Sequence, residues 1–389
     1  MALLKYAFNN LKLIYPSCDL YMCAEISRKI AEYLDLTIEE DVGQPYFGNS
    51  DYETLPFPPV SFVPIEDVEP SIRTAFVDGG NQEVLGAPNF SAQINRIYFN
   101  IFKGRNRIPP TSLPSRIEFY SATMSDFRDG GIFYDTRVFP LKVEFEGLIP
   151  EDRHLSFSSV DRTVTFGTQR ADIRHVASVA RRFAEWELAK HVIENELEKG
   201  DLIVHDGSLQ TSFTNEHMYM ARVMEAAMGK GVILAGISKT STLFTTTGLS
   251  LLGAVQKLAE DHKVKGSWCL PIARVANVKH NAFIYVVKLH ESANYVFRYE
   301  IYGEQARRMS EEDFCSVTSA LASNSKDMSF PGYPYGLVDA DSFARVSGDE
   351  IDSYRVPLMS ELSRLGKWKK ISRHICSGDA HSVLDMLKG

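Results

Sequence analysis

Cysteine is scarce in this chain of 389 residues, which contains five. Their number is odd, they are widely scattered, and no CxxC pair occurs with paired histidines nearby. This pattern argues against both a disulfide framework and a structural zinc site. The five are Cys18, Cys23, Cys269, Cys315 and Cys376.

Long apolar runs are also missing. Runs such as residues 202–204 and 232–237 fall far short of the roughly 18 residues that a transmembrane helix needs. The N-terminus mixes Lys5, Asn9, Asn10 and Lys12 into its apolar residues, so it offers no uninterrupted signal-peptide core. We therefore expect no membrane partner and a cytoplasmic location.

The chain has no excess of positive charge. Its formal net charge is −8 and its pI is near 5.7, which argues against a globally basic surface that coats nucleic acid. Any DNA contact must then be local. Three basic clusters could provide a local channel, although solvated surface charge also explains each of them. They are Lys103–Arg107, Arg181–Arg182 and Lys367–Lys370.

The chain divides near residue 70. Residues 1–70 are predicted to form an N-terminal helical extension, with a helix at Ala24–Leu34 and an extended connector at Thr54–Pro70. Residues 71–389 are expected to form the main domain. Within it, residues 115–168 are rich in Phe, Tyr, Arg and Gly and include a strand-like run at Val138–Phe145. This part is predicted to be an inserted or peripheral β region.

The main domain alternates between strands and helices. A short strand, Arg73–Asp78, is expected to end at an Asp-Gly-Gly sequence and to open a β-meander. The clearest helix spans Ala171–Lys199 and is followed by Gly200. A strand (Asp201–His205), a helix (Glu216–Met228) and a second strand (Val232–Ile237) come next. This order predicts an α/β fold in which the two strands are parallel neighbours.

The last third of the chain has two further features. Two alternating runs, Phe283–Leu289 and Tyr295–Ile301, predict a hairpin. Beyond the loop at Tyr333 the composition is mostly helical.

Two aspartates stand out for chemistry. Asp78 and Asp206 each follow a hydrophobic strand and each precede a glycine. Carboxylates fixed at strand ends supply the hard oxygen ligands that Mg²⁺ or Mn²⁺ prefers, and glycine leaves room for a phosphate to approach the backbone. An Asp-Gly turn with no function is the alternative explanation for each.

The long helix offers a third carboxylate. Helical periodicity places Glu187 in the middle of the apolar face and Glu185 nearer the polar face. A buried, unpaired glutamate is unfavourable unless it binds a cation, which favours Glu187 as a metal ligand. An ion pair between Glu187 and Lys190, or an error in the choice of face, explains the pattern equally well.

Further candidates lie downstream. Lys239, after a strand, is placed to meet a phosphate or to orient a nucleophile. The Tyr333–Tyr335 loop offers an aromatic surface for base stacking, unless it simply packs on the core, and Asp341 offers another ligand. His381 is a candidate general acid or base, although an exposed terminal histidine is the commoner explanation.

Taken together, these segments resemble the NurA family of DNA nucleases, from about Thr74 to the C-terminus, roughly four fifths of the chain. No single motif is specific, but their order matches as well as their kind. They are Ala75–Gly80, Arg182–Trp186, Ile203–Leu209, Gly236–Lys239, Val287–His290, Gly332–Tyr335 and Ala340–Asp341.

The resemblance implies an α/β fold with an RNase H-like core, a mixed sheet, flanking helices, and peripheral β and helical insertions. It also implies a ring-shaped homodimer that acts on single-stranded DNA and duplex ends. The expected activities are 5′ to 3′ exonuclease and single-strand endonuclease, dependent on Mn²⁺ or alternatively Mg²⁺. The expected partner is a HerA-type hexameric helicase in double-strand break end resection and homologous recombination.

Position by position, Asp78 and Asp206 resemble the family's acidic metal ligands, Glu185 its helix glutamate and Tyr333 its active-site tyrosine. Asp341 stands where members commonly have a histidine, so its role as a ligand stays open and Asp339 could substitute for it. The first motif also reads DGG where the family usually has DGS, which loses a hydroxyl and keeps the carboxylate.

The resulting hypothesis is that Asp78, Asp206 and a helix glutamate hold metal ions, and that Lys239 or Tyr333 positions the phosphate. Two alternatives remain. An actin-like or sugar-kinase-like phosphotransferase also carries two Asp-Gly segments on a related architecture, but no Gly-rich adenosine loop is evident between residues 240 and 340. The second alternative is a catalytically silent DNA-repair adaptor.

Overall fold

The structure, a computed structural model, describes residues 20–37, 41–57 and 62–378. The described helices are α1 (Leu20–Thr37), α2 (Ile173–Asn195), α3 (Glu216–Lys230), α4 (Leu251–Asp261), α5 (Gly303–Ala306), α6 (Glu311–Asn324), α7 (Tyr335–Ala344), α8 (Gly348–Arg364) and α9 (Trp368–Gly378). Short 3₁₀ turns occupy Val143–Leu148 and Asp152–His154. None of the described helices has the length and apolar character that crossing a bilayer requires.

The described strands are β1 (Pro45–Tyr46), β2 (Tyr52–Thr54), β3 (Val63–Pro64), β4 (Thr74–Ala87), β5 (Phe90–Lys103), β6 (Asn106–Ile108), β7 (Arg116–Arg128), β8 (Gly131–Pro140), β9 (Ser156–Ser158), β10 (Leu202–Asp206), β11 (Ile233–Ser238), β12 (Phe244–Thr245), β13 (Trp268–Ala276), β14 (Asn281–Lys288) and β15 (Phe297–Tyr302).

These strands form one large sheet of 13 strands and a separate pair, β1 with β12. The large sheet has the order β2-β13-β14-β15-β11-β10-β4-β5-β7-β8-β9, with β3 also on β13 and β6 also on β5. Strand β10 runs parallel to both β4 and β11, and every other described pairing is antiparallel. The predicted mixed α/β class is therefore confirmed.

Five central strands, in the order β7-β5-β4-β10-β11, make the predicted RNase H-like core. The first three form an antiparallel meander, and α2 and α3 then precede the parallel strands β10 and β11. The start of α2 is set by Asp172, whose side chain accepts a hydrogen bond from the Arg174 backbone N–H. The end of α3 is set by Gly231 at φ +72°, which turns the chain into β11.

Side-chain alternation divides the core between the two faces of the sheet. On one face Val77 and Ile203 are buried in the cluster that contains α2 and α3. On the other face Phe76 and Val204 are buried with side chains of α6 and α7. Because side chains alternate along a strand, the residues two positions after Phe76 and Val204 lie on the same face as these two side chains.

The first strand differs from its prediction. β4 does not end at Asp78 but continues to Ala87, and it pairs with β5 through Gly79 and Gly80 without a break. Neither glycine has a positive φ, so the Asp-Gly-Gly sequence is extended strand and not a turn. Asp206 does end its strand, and Gly207, at φ +125°, turns the chain away.

Two other segments differ as well. The run Val138–Phe145 is not one strand, because β8 ends at Pro140, which cannot donate to the ladder, and a 3₁₀ turn follows. The connector Thr54–Pro70 is not purely a linker, since β3 within it pairs with β13 of the main sheet. The region 115–168 supplies β7, β8 and β9, which continue the sheet at one end.

The predicted hairpin near the end of the sheet is confirmed, with β14 and β15 antiparallel. The predicted helix Ala24–Leu34 lies within α1. The two predicted helices and two predicted strands between residues 171 and 237 correspond to α2, β10, α3 and β11.

Candidate active site

Asp78 and Asp206 lie side by side. Strands β4 and β10 are parallel with Phe76 opposite Val204, and each aspartate is two residues further along its strand. Both side chains therefore point to the face of the sheet that carries α7.

Helix α7 adds a third carboxylate from that face. Asp341 is exposed, whereas Asp78 and Asp206 are half-buried. One oxygen atom from each of the three carboxylates lies within 4.8 Å of the others. Three acidic side chains from three different elements thus converge at one point, referred to below as the carboxylate cluster.

Lys239 and Tyr333 both contact this cluster. The Nζ atom of Lys239, in the loop after β11, lies 2.7 Å from Asp206 Oδ2 and 2.7 Å from Asp341 Oδ1. The hydroxyl of Tyr333 donates to Asp206 Oδ1 at 3.2 Å. The ammonium also lies 5.8 Å from the centre of the Tyr333 ring, in a cation–π contact that helps to hold both side chains in place.

The cluster carries more negative charge than its surroundings neutralise. Burial, followed by the charges of Asp206 and Glu185, raises the pKa of Asp78 to about 8. Burial would lower the pKa of Lys239, but Asp206 and Asp341 more than offset this and raise it. A site that holds a proton on an aspartate near neutral pH has room for more positive charge than one lysine supplies.

The donor set fits a hard divalent cation. All three converging groups are carboxylates, which suit Mg²⁺ and Mn²⁺ better than softer metals. Among the described residues, Lys239 is the cation in ion-pair contact with them. Three carboxylates converge while one lysine pairs with two of them, and this favours a metal here over a purely structural ion-pair network.

A cleft of about 540 Å³ opens beside the cluster. It is lined by β4 on one side and by the turn between α7 and α8 on the other. The lining includes Asp78, Gln82, Asp341, Arg345 and Gly348. The carboxylates are therefore accessible to a ligand larger than an ion.

The profile of the NurA domain family matches residues 72–346. This span contains every element that contributes to the carboxylate cluster, and it covers well over half of the chain. The chain belongs to the NurA domain family. No curated protein matches the sequence.

Two solved structures are similar to this chain. The crystal structure of the NurA nuclease from Sulfolobus solfataricus is 14% identical, covers 92% of this chain and 97% of its own, and has a TM-score of 0.50. A second NurA crystal structure is 8% identical, with coverages of 91% and 100% and a TM-score of 0.47. At such low identity the first comparison shows that the fold is shared.

In this NurA domain, Glu185 lies behind the carboxylate cluster. It projects from α2 on the opposite face of the sheet and is 1% exposed. Arg181 and Arg182 both pair with it, the latter at 3.4 Å. Burial raises its pKa even though the two arginines oppose the shift. The structure therefore brings Glu185 near Asp78 and Asp206 but not into the group of three that meet.

Gly79 explains how Glu185 comes so close. A Cβ atom at Gly79 would lie 2.4 Å from Glu185 Oε1, closer than such atoms approach. The neighbouring Gly80 is similarly confined, since its Cβ atom would lie 2.4 Å from the carbonyl oxygen of Ala344 in α7. The two glycines of the DGG sequence thus let helices approach β4 from both faces.

Glu187 is not part of this site, contrary to the prediction from periodicity. It is less buried than Glu185 and pairs with Arg222 of α3 at 2.8 Å. The two glutamates are two residues apart on α2, so they point in nearly opposite directions. The face was misjudged because α2 is buried on almost all sides near Phe183 and Trp186.

Asp339 does not substitute for Asp341. It is 6% exposed and accepts a hydrogen bond from Asn100 Nδ2 at 2.7 Å. It also pairs with Arg107, so one member of the predicted basic channel Lys103–Arg107 is committed to a structural contact. His381, the other terminal candidate, lies outside the described residues.

Sequence reasoning missed two supports of the site. Glu216 is fully buried and accepts hydrogen bonds from Arg182 Nε and Trp186 Nε1, each at 2.8 Å. Glu300, also fully buried, accepts from the Leu209 backbone N–H at 2.8 Å and holds the loop after Asp206.

Proposed function

We propose that this NurA-family protein is a metal-dependent DNA nuclease that cleaves phosphodiester bonds at the carboxylate cluster. The observation that carries the proposal is the convergence of Asp78, Asp206 and Asp341 beside an open cleft. Family membership supports the reaction class, because the Sulfolobus solfataricus relative with the same fold is described as a nuclease.

The three aspartates would hold Mn²⁺ or Mg²⁺. A divalent cation bound there would supply Lewis-acid stabilisation of the phosphate and a lowered pKa for an attacking water. The backbone N–H of Gly79 donates to Asp78 Oδ1 at 2.7 Å, which fixes the direction of that carboxylate. Asp206 is fixed in the same way by the hydroxyl of Tyr333.

Lys239 has a separate role in this proposal. Its ammonium bridges Asp206 and Asp341, and its side chain is 40% exposed, so it is open to solvent as well as to the carboxylates. A cation in this position orients a phosphate oxygen of the substrate and offsets charge that develops during cleavage. Glu185 acts from the opposite face as a positioning residue, through its contact with Gly79 and its two arginines.

Cleavage assays test the proposal directly. Labelled single-stranded and duplex DNA is incubated with the protein in Mn²⁺, in Mg²⁺ and in EDTA. Cleavage is expected in Mn²⁺ and absent in EDTA. Replacing Asp78, Asp206 or Asp341 by asparagine should lower the rate more than about 100-fold, since even outer-shell partners of a metal are worth 10- to 100-fold.

Glu187→Gln is the matched control for Glu185→Gln. Both change one glutamate of α2, but Glu187 pairs with Arg222 and lies away from the cluster. The Glu185 variant should lose about 10- to 100-fold in rate, and the Glu187 variant should retain the parent rate. Full activity in the Asp78 and Asp206 variants would contradict the proposal, and saturable ATP binding by the parent would favour a phosphotransferase.

The finer properties of the proposed nuclease rest on family resemblance. We propose 5′ to 3′ exonuclease and single-strand endonuclease activity, a homodimer, and action with a HerA-type helicase in end resection during homologous recombination. End-specific labels determine the polarity, light scattering determines the oligomeric state, and co-purification with a HerA-type hexamer determines the partnership.

A further inference from the structure

One edge of β4 has no neighbouring strand beyond the carboxylate cluster. β10 ends at Asp206, and in the described part of the chain β4 continues to Ala87 paired with β5 alone. Two clefts follow this edge in succession, one of about 540 Å³ that includes Asp78 to Gln82 and one of about 750 Å³ that includes Gln82 to Pro88. The two clefts meet at Gln82, which lines both, and together they are called the β4 groove below.

The β4 groove is long and walled on both sides. At about 3.3 Å per residue, the stretch from Asp78 to Pro88 spans about 30 Å. One wall is the start of α2, and the other is the turn before α8 together with α8 and α9. Helices α8 and α9 lie beyond residue 346, where the match to the NurA domain ends. A segment outside the family domain therefore supplies the outer wall.

Arg345 lies where the groove meets the carboxylate cluster. Its side chain is exposed and, among the described residues, makes no ion pair or side-chain hydrogen bond. Its backbone is held firmly, because the carbonyl oxygen of Arg345 accepts from Arg96 Nη1 at 2.7 Å. Arg96 is 3% exposed and pairs with Glu118 and Glu350.

An unpaired guanidinium on a fixed anchor points to an anionic ligand. The neighbouring carboxylate, Asp341, is bound by Lys239 and does not engage Arg345. Guanidinium groups recognise phosphate oxygens through paired N–H donors. Further along, both groove arginines are already neutralised, Arg174 by Glu83 and Arg355 by Asp352. Arg345 is therefore the groove residue best placed to bind a phosphate.

The far half of the groove has a different chemistry. Met359, Trp368 and Ile375 line it and are half-buried. Partly exposed apolar and aromatic side chains in a groove suit the faces of unstacked bases, which a single strand presents and a duplex hides.

We propose that the β4 groove binds one nucleic-acid strand, with Arg345 on the phosphate nearest the carboxylate cluster and the α8–α9 wall against the bases. The inference rests on the proposed nuclease function, since it assigns the path by which that substrate leaves the cluster. It adds a phosphate-binding residue and a base-contacting wall to the site.

Equilibrium binding tests the groove without requiring cleavage. Fluorescein-labelled single-stranded oligonucleotides of increasing length are titrated with the protein in EDTA and followed by anisotropy. Affinity should rise with length until the groove is filled. Arg345→Ala should weaken binding about tenfold and lower the slope of log affinity against log salt by about 0.7, the value for one phosphate contact on a single strand.

Two variants sharpen this measurement. Arg345→Lys keeps the charge and should retain the salt slope of the parent. Arg308→Ala is the matched control, because Arg308 is also an exposed arginine but lines neither cleft. It should bind like the parent.

Neutral methylphosphonate linkages in the DNA backbone locate the phosphate that Arg345 contacts. A single methylphosphonate is moved along the oligonucleotide, and each neutral linkage is measured with the parent and with Arg345→Ala. At one position the neutral linkage should weaken binding to the parent about tenfold and have no further effect in the variant, which is the signature of a direct contact.

Equal DNA affinity of the Arg345→Ala and Arg308→Ala variants would overturn the groove inference. It would also be overturned if the methylphosphonate at every position weakened binding equally in the parent and in Arg345→Ala. Failure of the proposed function looks different: the parent would bind as described but would not cleave DNA in Mn²⁺. Binding that depends on Arg345 supports the groove in either case.

Discussion

Replacing Gly79 by alanine isolates the contact between the sheet and Glu185. The backbone at Gly79 is extended, so alanine introduces no strain in the main chain. Its Cβ atom would lie 2.4 Å from Glu185 Oε1, and the oxygen must withdraw to the 3.4 Å of an ordinary contact. Arg181 and Arg182 hold that carboxylate in a fully buried position, so withdrawal weakens at least one of these contacts.

The magnitude follows from the contact that is lost. A hydrogen bond to a charged group contributes about 1.5–3 kcal/mol, so we expect Gly79→Ala to lower the free energy of unfolding by about 2 kcal/mol. For a chain of this length the melting temperature should fall by about 2–3 °C. Cleavage in Mn²⁺ should fall by about 10- to 100-fold, as for loss of an outer-shell partner.

Calorimetry and the cleavage assay check both numbers against a matched control. Gly131→Ala changes another strand glycine, where the added Cβ atom would meet nothing closer than 3.9 Å. Shortening Glu185 to aspartate should relieve the clash, so Gly79→Ala should have a smaller effect in that background. The reasoning is refuted if Gly79→Ala behaves like Gly131→Ala, or if Glu185→Asp leaves its effect unchanged.

Three further results are expected. Burial and neighbouring carboxylates raise the pKa of Asp78 to about 8, so Mn²⁺ binding should release a proton. The affinity for Mn²⁺ should therefore rise roughly tenfold per pH unit from pH 6 to 8. Calorimetry in buffers of different ionisation enthalpy measures both effects. Burial alone would raise the pKa of Glu300, but Arg298 and His280 lower it to about 2. The lowered pKa adds about 3 kcal/mol to the free energy of unfolding above pH 4.5, and this contribution is lost as the pH falls towards 2. Urea denaturation of Glu300→Gln should lack that loss. Tyr333→Phe removes a hydrogen bond to the cluster and should slow cleavage about tenfold, and an unchanged rate would exclude a role for the hydroxyl.

The sequence predicted the strands and helices whose burial is one-sided or complete. The alternating runs of β14 and β15 and the apolar runs of β10 and β11 were recognisable because pattern alone determines them. Strands of two or three residues, such as β1 and β3, carry no periodicity, and tertiary pairing alone creates them.

The site was predicted in part. Asp78, Asp206, Lys239 and Tyr333 meet in space as their order along the chain suggested. The position of Asp78 within its strand was not predictable, because Gly-Gly typically ends a strand and only the partner β5 carries this one onward. Periodicity alone favoured Glu187 over Glu185, because a helix buried on nearly all sides has no polar face from which to judge.

The unpaired edge of β4 also bears on whether another molecule can add a strand to the sheet. A bare strand edge is a template to which a strand of another molecule can add. Here two of its carbonyl oxygens are already occupied, that of Gly79 by Arg181 Nη1 at 3.1 Å and that of Val84 by Arg355 Nε at 3.0 Å. A bulge between Glu83 and Leu85 further disrupts the regular spacing that an added strand would need. We therefore expect these two contacts to disfavour strand addition, and Arg355→Ala should leave the protein more prone to self-association than the parent.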